Sequence, residues 1–235
     1  MLELRDIHVH YGTSHIVQGL SLSAAAGQVI GIFGRNGVGK TTLLKTIAGW
    51  LQPTSGSILL HGTPIHELST HRIARLGVGF VPEDRRIFPD LSVEENLALG
   101  FLQVPGRKAA QNRAALADVY ARFPRLAERR SQPGMTLSGG EQQMLAMARV
   151  MIGDARLLLI DEPSEGLAPM IVADLYAIIR AMKAEGRTIL LVEQNVANAL
   201  EVSDRFVAIE RGQIIYAGSA ASEGDRSQLL DAIAV

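Results

Sequence analysis

Apolar and polar residues alternate along the first stretch of the chain, MLELRDIHVHYG, and this period of two predicts a half-buried strand. Short uninterrupted apolar runs predict buried strands, and apolar residues recurring every three or four positions predict helices. The predicted strands are GQVIGIFG, GSILLHGTPI with a turn at Gly62, LGVGFVPE, LLLID and TILLVEQ, and RFVAIERGQIIYAG predicts a hairpin. The predicted helices are TTLLKTIAGWL, SVEENLALGFL, AAQNRAALADVYARFPRLAERR, Gln142–Met151, MIVADLYAIIRAMKAEG and VANALEVS.

Apolar strands that alternate with helices predict an α/β fold, in which a parallel sheet is covered on both faces. The stretch 84–145 interrupts this alternation and is predicted to be a mostly helical insertion. A length of 235 residues suits one domain that carries such an insertion. We therefore expect one domain over 1–235, with a core of about 1–83 and 146–235.

Composition and charge narrow the class of partner. The chain is 47% hydrophobic and 20% charged, with a formal net charge of -1. Nucleic-acid binders usually show a basic excess, so no nucleic-acid partner is expected. The chain has no cysteine, which excludes disulfides and cysteine metal sites. The charged start is unlike a signal peptide, and no apolar run reaches the length that spans a bilayer.

A glycine-rich loop follows the predicted strand GQVIGIFG and precedes a predicted helix. Glycines let backbone N–H groups curl around an anion, and the helix start adds its dipole. A lysine in this pattern contacts the β- and γ-phosphates, and the hydroxyl after it is a ligand for Mg²⁺. The alternative, a strand-to-helix turn without ligand, is disfavoured by the lysine and threonine. The predicted phosphate-binding residues are Gly34, Arg35, Asn36, Gly37, Val38, Gly39, Lys40, Thr41 and Thr42.

A second element is LLLIDEP, in which an apolar strand ends at Asp161. Ligands of open α/β sheets collect at the carboxyl ends of the strands. Asp161 is therefore expected to bind Mg²⁺ directly or through water, and Glu162 to orient or deprotonate an attacking water. On its own, Asp-Glu-Pro would be better explained as a surface turn, but the phosphate loop favours the site.

The stretch LSGGEQQ opens another predicted helix. Ser138 and Glu141 form a capping box, and Gly139 and Gly140 follow the serine. One interpretation is that these residues only cap the helix. Because it precedes Asp161 closely, it resembles the signature motif of ABC ATPases. That resemblance implies that Ser138, Gly139 and Gly140 face the γ-phosphate of an ATP held by a second, head-to-tail subunit.

The resemblance covers essentially the whole chain. VPEDRRIFPDLSVEENLALG, LSGGEQQMLAMAR, DEPSEGLAP and LLVEQN resemble the LivF-type ATP-binding subunits of branched-chain amino-acid importers. The fold it implies is a P-loop NTPase (RecA-like) core with a mainly parallel sheet, an N-terminal antiparallel β subdomain and an inserted helical subdomain. It also implies that Tyr11 stacks on adenine, although a core tyrosine at a strand end is a real alternative.

The same resemblance implies cofactors, partners and location. It implies ATP and Mg²⁺, a second ATPase subunit that makes a heterodimer, and two integral-membrane permease subunits. A periplasmic solute-binding protein would select the solute. The chain would be cytoplasmic and peripheral on the inner face of the cell membrane. Subunits that serve urea or amides look similar, so a urea or amide importer remains an alternative.

Three positions depart from most ABC ATPases. Glu83 stands where glutamine is usual, Gln194 where histidine is usual, and Ala168 where aspartate is usual. Glu83 and Gln194 are predicted to act with Glu162 in catalysis, and Glu83 with Thr41 and Asp161 at the metal. Two like charges about 4 Å apart cost roughly 4 kcal/mol at an effective dielectric of about 20. Glu83 therefore needs a bridging Mg²⁺ or a different rotamer, and an ATP-binding scaffold with a slow site is a further alternative.

Two other features carry weaker expectations. His8 and His10 share one face of the first strand, where a solvated surface is favoured over a metal site. The stretch Arg85–Pro89 is expected either to contact a partner helix or to be an ordinary amphipathic turn. A soluble ABC protein of DNA repair is disfavoured, because the interval between Lys40 and Ser138 leaves no room for long coiled coils.

Overall fold

Two β-sheets form the framework in the computed structural model, which describes residues 1–234. The first sheet is antiparallel, with strand order β2-β1-β4-β5, and the second has order β10-β9-β3-β8-β7-β6. The strands are β1 (Leu2–Tyr11), β2 (Ser14–Ala24), β3 (Val29–Phe33), β4 (Ser55–Leu60), β5 (Thr63–Pro64), β6 (Val78–Val81), β7 (Leu157–Asp161), β8 (Thr188–Val192), β9 (Arg205–Glu210) and β10 (Gln213–Ser219).

The antiparallel sheet contains the predicted first strand, but its alternation is interrupted. Asp6 has φ 50°, and the pairing register of β1 with β2 shifts between Leu4 and Ile7. Strand β2 was not predicted. Its burial is partial over its first half, so no clean period of two marks it in the sequence.

The second sheet is parallel except at one edge. Strand β3 lies parallel to β8 and β9, and β7 lies between β8 and β6. Strands β3, β7 and β8 are buried along their whole length, as expected of strands covered on both faces. The predicted hairpin is confirmed, since β10 pairs antiparallel with β9 at the edge.

The helices differ from the predictions mainly at their ends. The one after the phosphate loop stops before Gly49 (φ 76°) instead of reaching Leu51, and the predicted SVEENLALGFL helix continues as a 3-10 helix, Leu99–Gln103. The helices are α1 (Lys40–Ile47), α2 (Thr70–Arg75), α3 (Val93–Ala98), α4 (Ala109–Arg122), α5 (Pro124–Glu128), α6 (Gly139–Ile152), α7 (Pro169–Ala184), α8 (Val196–Val202) and α9 (Glu223–Ala234). Neither α2 nor α9 was predicted.

Two apolar cores lie on the two faces of the parallel sheet. One packs α1 and the antiparallel sheet against Ile30 and Ile32 of β3. The other packs α6 and α7 against Val29 and Phe33 of the same strand. The sheet is thus covered on both faces, and the predicted α/β fold with an N-terminal antiparallel sheet and helices between β6 and β7 is confirmed. Within residues 1–234, no helix has the length and apolar character needed to cross a membrane.

Candidate functional site

The loop between β3 and α1 has a backbone that glycine permits and other residues disfavour. Gly34, Gly37 and Gly39 have φ values of 149°, 81° and 107°. A Cβ on Gly34 would also stand 2.3 Å from the carbonyl oxygen of Ile209. The loop therefore turns tightly enough to present its backbone N–H groups together before α1 begins at Lys40.

A cavity of about 340 Å³ opens beside this loop and collects most of the predicted site residues. It lies where the ends of β1, β3, β7 and β8 approach the start of α1. Its lining residues are Tyr11, Ile16, Asn36, Gly37, Gly39, Lys40, Thr41, Thr42, Glu83, Glu162, Glu165 and Gln194.

Three predicted phosphate-loop residues are not among those lining the cavity. Gly34 and Arg35 line a neighbouring opening of about 360 Å³, to which Asn36 also contributes. Val38 packs against the apolar core on the α1 side of the sheet. The loop thus divides its residues between the cavity, an adjacent opening and the core.

Lys40 is the first residue of α1 and is buried, with 4% of its surface exposed. Its ammonium group donates to the carbonyl oxygens of Gly34 at 2.8 Å and Arg35 at 3.0 Å. The same nitrogen lies 3.6 Å from Oε1 of Glu162. The charge is therefore held between the loop and the acidic end of β7, within reach of an anion that enters the cavity.

Asp161 is fully buried at the end of β7 and is one of the three predicted metal ligands, with Thr41 and Glu83. Thr41 Oγ1 donates to Asp161 Oδ1 at 3.1 Å, while Asp161 Oδ2 has no hydrogen-bond partner among the described residues. Burial raises the pKa of Asp161 to about 6; the Thr41 hydrogen bond opposes this, and the charges of Glu162 and Glu83 add to it. An orphaned carboxylate oxygen beside a threonine hydroxyl fits Mg²⁺, which prefers such oxygen ligands.

Glu162 occupies a strained backbone position, with φ 44° and 8% of its surface exposed. Gln194 Nε2 donates to Oε2 of Glu162. The backbone N–H of Glu162 donates to the carbonyl oxygen of Val192 at 2.9 Å. A left-handed non-glycine residue in a cavity is a feature of functional sites. Each carboxylate oxygen of Glu162 thus faces an N–H group: Oε1 faces the Lys40 ammonium and Oε2 the Gln194 amide.

Three carboxylates meet on the open side of the cavity. Glu83, Glu162 and Glu165 each offer an oxygen, and these oxygens lie within 4.8 Å of one another. Burial raises the pKa of the Glu165 carboxyl, and its contact with Glu162 and the charge of Glu83 raise that pKa further. The group can hold a cation or share a proton, because three close negative charges repel one another.

The residues of LSGGEQQ stand apart from this cavity. Ser138 is exposed and caps α6: its Oγ accepts from Glu141 N at 3.3 Å, and Glu141 Oε2 accepts from Ser138 N at 2.8 Å. Gly140 is buried against Ile171 of α7, where a Cβ would come within 2.9 Å of that side chain. Neither Ser138, Gly139 nor Gly140 lines the phosphate-loop cavity, so within one chain these residues do not complete it.

Tyr11, from the N-terminal sheet, lines the cavity, and three histidines cluster elsewhere on that sheet. Tyr11 ends β1 and is 47% exposed beside Ile16, so its ring is available to a flat ligand. His10 stacks on His15 with ring centroids 4.0 Å apart, and His8 Nδ1 lies 3.0 Å from His15 Nε2. Within residues 1–234, the grouping suited to a metal consists of the three glutamates and no histidine.

Sequence reasoning missed three residues at or beside the site. Ile16 lies on β2, a strand that was not predicted. Glu165 follows Glu162 by one turn of the loop DEPSEGLAP, and its proximity in sequence could have signalled it. Glu193 precedes Gln194 and is 2% exposed, and its contact with Ser164, 29 positions earlier in the chain, has no signal in the sequence.

Comparison with known proteins identifies the family. A family model described as "ABC transporter" matches residues 17–165. The chain is 40% identical over 224 residues to the high-affinity branched-chain amino acid transport ATP-binding protein BraG of Pseudomonas aeruginosa, covering 94% of each chain. It is 34% identical to a probable branched-chain amino acid transport ATP-binding protein LivF of Archaeoglobus fulgidus, covering 94% of this chain and 92% of the other.

A solved structure agrees in fold. A dimeric ATP-binding cassette in a post-hydrolysis state, bound to ADP and phosphate, superposes with a TM-score of 0.84 at 20% identity. The match covers 94% of this chain and 99% of the other.

Proposed function

The chain belongs to the ABC transporter family as an ATP-binding subunit, and on this premise we propose that it hydrolyses ATP to drive import of branched-chain amino acids. The observation that carries the proposal is the convergence of Lys40, Thr41, Glu162 and Gln194 on one cavity, with Asp161 hydrogen-bonded behind Thr41. The phosphate-loop lysine and a carboxylate at the adjacent strand end are the groups that phosphoryl transfer from a nucleotide requires. The names of the relatives supply the solute.

We propose that the residues divide the work as follows. Backbone N–H groups of Gly34–Thr42 bind the phosphates, and Lys40 exchanges its carbonyl contacts for the β- and γ-phosphates. Tyr11 stacks on adenine. Glu162 orients the attacking water and accepts its proton, once Gln194 turns its amide toward the γ-phosphate. Mg²⁺, when bound, would neutralise phosphate charge.

The ligands we propose for Mg²⁺ are Thr41 and Asp161, with Glu83 as a third group. Support comes from the unpartnered Asp161 Oδ2 and from the 3.1 Å contact between Thr41 and Asp161. Glu83 stands with Glu162 and Glu165, where a cation would relieve the repulsion among the three carboxylates. A binding isotherm of Mg²⁺ to the ATP-loaded Asp161→Asn variant tests this set.

A second ATPase subunit is proposed to complete the site. Ser138, Gly139 and Gly140 lie outside the cavity of their own chain, as residues that serve a neighbour's ATP would. We propose a head-to-tail heterodimer with unequal sites, because Glu83, Ala168 and Gln194 replace the usual phosphate-sensing groups. A mainly ATP-binding scaffold with a slow site is the second candidate, favoured by the hydrogen bond from Gln194 to Glu162.

The asymmetry is tested by changing Glu162 to Gln in this subunit and its counterpart in the partner, separately, within the assembled transporter. The heterodimer with unequal sites predicts that the partner's change abolishes most transport while this one leaves a measurable remainder. Equal losses would remove the asymmetry from the proposal.

The permease contact is proposed on the surface around Arg85–Pro89. Phe88 is 50% exposed. The Arg86 guanidinium lies 4.6 Å from the Trp50 ring centroid, and Arg149 lies 5.8 Å from that of Phe88. Exposed aromatic and arginine side chains are enriched in protein interfaces. Docking there on two integral-membrane permeases would hold the subunit peripherally on the inner face of the membrane, with a periplasmic protein delivering the solute.

We further propose the division into a core of about 1–83 and 146–235 and a helical subdomain of about 84–145, with α6 running across the second boundary. The experiment that tests the function is isolation of this subunit from native membranes with its bound proteins. The proposal expects two permeases, a second ATPase and a binding protein that takes up leucine, isoleucine or valine. A binding protein selective for urea or an amide would change the proposed solute and leave the proposed ATPase function unchanged.

A further inference from the structure

Glu193 is a buried carboxylate between two loops of the site. It follows β8 directly and is 2% exposed. Its Oε1 accepts from the backbone N–H of Ser164 at 3.1 Å. Its Oε2 accepts from the backbone N–H groups of Gln194 at 3.0 Å and Asn195 at 3.4 Å. One side chain thus joins the loop after Glu162 to the loop that carries Gln194.

The hydrogen bonds that this carboxylate accepts come from backbone N–H groups, and no cation in the described part of the chain balances its charge. Within residues 1–234, no lysine, arginine or histidine forms an ion pair with Glu193. The buried hydroxyl of Tyr176 also faces Glu193, although it makes no hydrogen bond of good geometry to it. Burial raises the pKa of Tyr176, and the Glu193 charge raises it further. Burying a carboxylate without a cation costs free energy, so a residue chosen for packing alone would be apolar here.

We propose that Glu193 is a positioning residue, which holds Gln194 in register with the 164–168 loop so that movement of that loop changes the contact between Gln194 and Glu162. The inference rests on the proposed ATPase function and adds a residue to it. Loop 164–168 leads into α7 and begins two positions after Glu162, while Gln194 touches Glu162 directly. A rigid link between the two loops therefore acts on the orientation of the Glu162 carboxylate.

The two-oxygen geometry explains why glutamate fits better than its amide. Each oxygen serves a different loop, and its hydrogen bonds all come from backbone N–H donors. A glutamine keeps one acceptor oxygen but presents an NH₂ group to the other loop, where donor would meet donor. The Glu193→Gln variant therefore releases one loop while preserving side-chain volume.

The test is steady-state ATP hydrolysis by the assembled transporter carrying Glu193→Gln, with Glu201→Gln as the matched control. Glu201 is an exposed glutamate on α8, 70% accessible; its amide variant loses the same charge and a 3.9 Å ion pair with Arg180, but no hydrogen bond to either loop. We expect kcat to fall about tenfold for Glu193→Gln with KM for ATP within about twofold, and no change for Glu201→Gln. A purely structural role would lower the melting temperature and leave kcat of the folded protein unchanged.

A double-mutant cycle identifies the route. In a Gln194→Ala background, Glu193→Gln should cause no further loss of kcat, because residues that act through each other are not additive. The same fold loss in both backgrounds, or a wild-type kcat in Glu193→Gln, would overturn the inference. If Glu193→Gln melts below the assay temperature, Glu193→Asp enters the same cycle, where its shorter side chain reaches only one loop.

Failure of the inference is distinguishable from failure of the ATPase assignment. Lys40→Ala reports on ATP binding and does not involve Glu193. Normal ATP binding by Lys40→Ala would contradict the assignment, whereas additive Glu193 effects with weakened Lys40→Ala binding would contradict only the positioning role.

Discussion

Gln194 donates its side-chain N–H to Oε2 of Glu162, while Lys40 lies 3.6 Å from Oε1 of the same carboxylate. Both oxygens of the proposed water-orienting residue are thus engaged by the chain itself. Parallel pairing of β7 with β8, in which Asp161 faces Val192, places Glu162 and Gln194 side by side. Hydrolysis at this site requires that at least one of these contacts gives way to water, so the two partners control when Glu162 can act.

Replacing Lys40 by alanine should weaken ATP binding at least tenfold, because the phosphates lose the buried charge at the start of α1. Calorimetric titration of the isolated subunit with ATP measures this affinity, and Lys108→Ala on the helical insertion is the control. An unchanged affinity would remove the phosphate-loop assignment.

Glu162→Gln should bind ATP with normal affinity and hydrolyse it about a hundredfold more slowly, because the amide cannot accept the proton of water. It should also accumulate as an ATP-bound dimer, seen by size-exclusion chromatography with light scattering. Glu210→Gln, an exposed position at the end of β9, is the control. Undiminished turnover of the Glu162→Gln transporter would assign the proton acceptor to another residue.

Asp161→Asn should stabilise the metal-free protein at pH 7. The folded pKa of Asp161 is about 6, above its ordinary 3.8, so the folded state binds the proton more tightly than the unfolded state. Stability is therefore lost as pH rises from about 4 to about 6, by up to about 3 kcal/mol for this group. Urea unfolding in the presence of EDTA should show a higher midpoint for the variant at pH 7 and a smaller difference at pH 4. A less stable variant at pH 7 would contradict the electrostatic account of this buried carboxyl.

Ser138→Arg should reduce hydrolysis by the assembled transporter without weakening ATP binding to the isolated subunit, since Ser138 lies outside the cavity of its own chain. Loss of the helix cap costs about 1 kcal/mol, so melting temperature is recorded alongside. Ser131→Arg, on the exposed segment before α6, controls for the added charge. Weaker ATP binding by the Ser138→Arg monomer would mean that the serine serves its own chain's nucleotide.

The positions in the fold that the sequence predicts are those specified locally. Lys40 and Thr41 follow a glycine-rich turn at the start of a helix, and Asp161 ends an apolar strand. Both positions can therefore be recognised from neighbouring residues in the sequence. The relation of Gln194 to Glu162 is different, because it depends on which strands are neighbours in the sheet. Sequence periodicity does not indicate which strands are neighbours. For the same reason, the sequence did not indicate that Glu193 joins two loops.

The unpredicted elements fail for a second physical reason. Strand β2 is half-exposed along its first part and carries Gly19 at φ 72°, so neither alternation nor an apolar run marks it. Helix α2 has six residues, with only Ile73 buried. Such elements are held by their neighbours rather than by their own pattern, and Ile16 of the cavity was missed with the strand that carries it.

The most direct test of the central claim is uptake of labelled leucine by the complete transporter reconstituted in proteoliposomes, with Mg-ATP on the side of this subunit and the binding protein on the other. The account predicts saturable, ATP-dependent leucine uptake that falls at least tenfold with Lys40→Ala in this subunit and is unchanged with Lys108→Ala. Leucine uptake that is independent of ATP and unaffected by Lys40→Ala would contradict it.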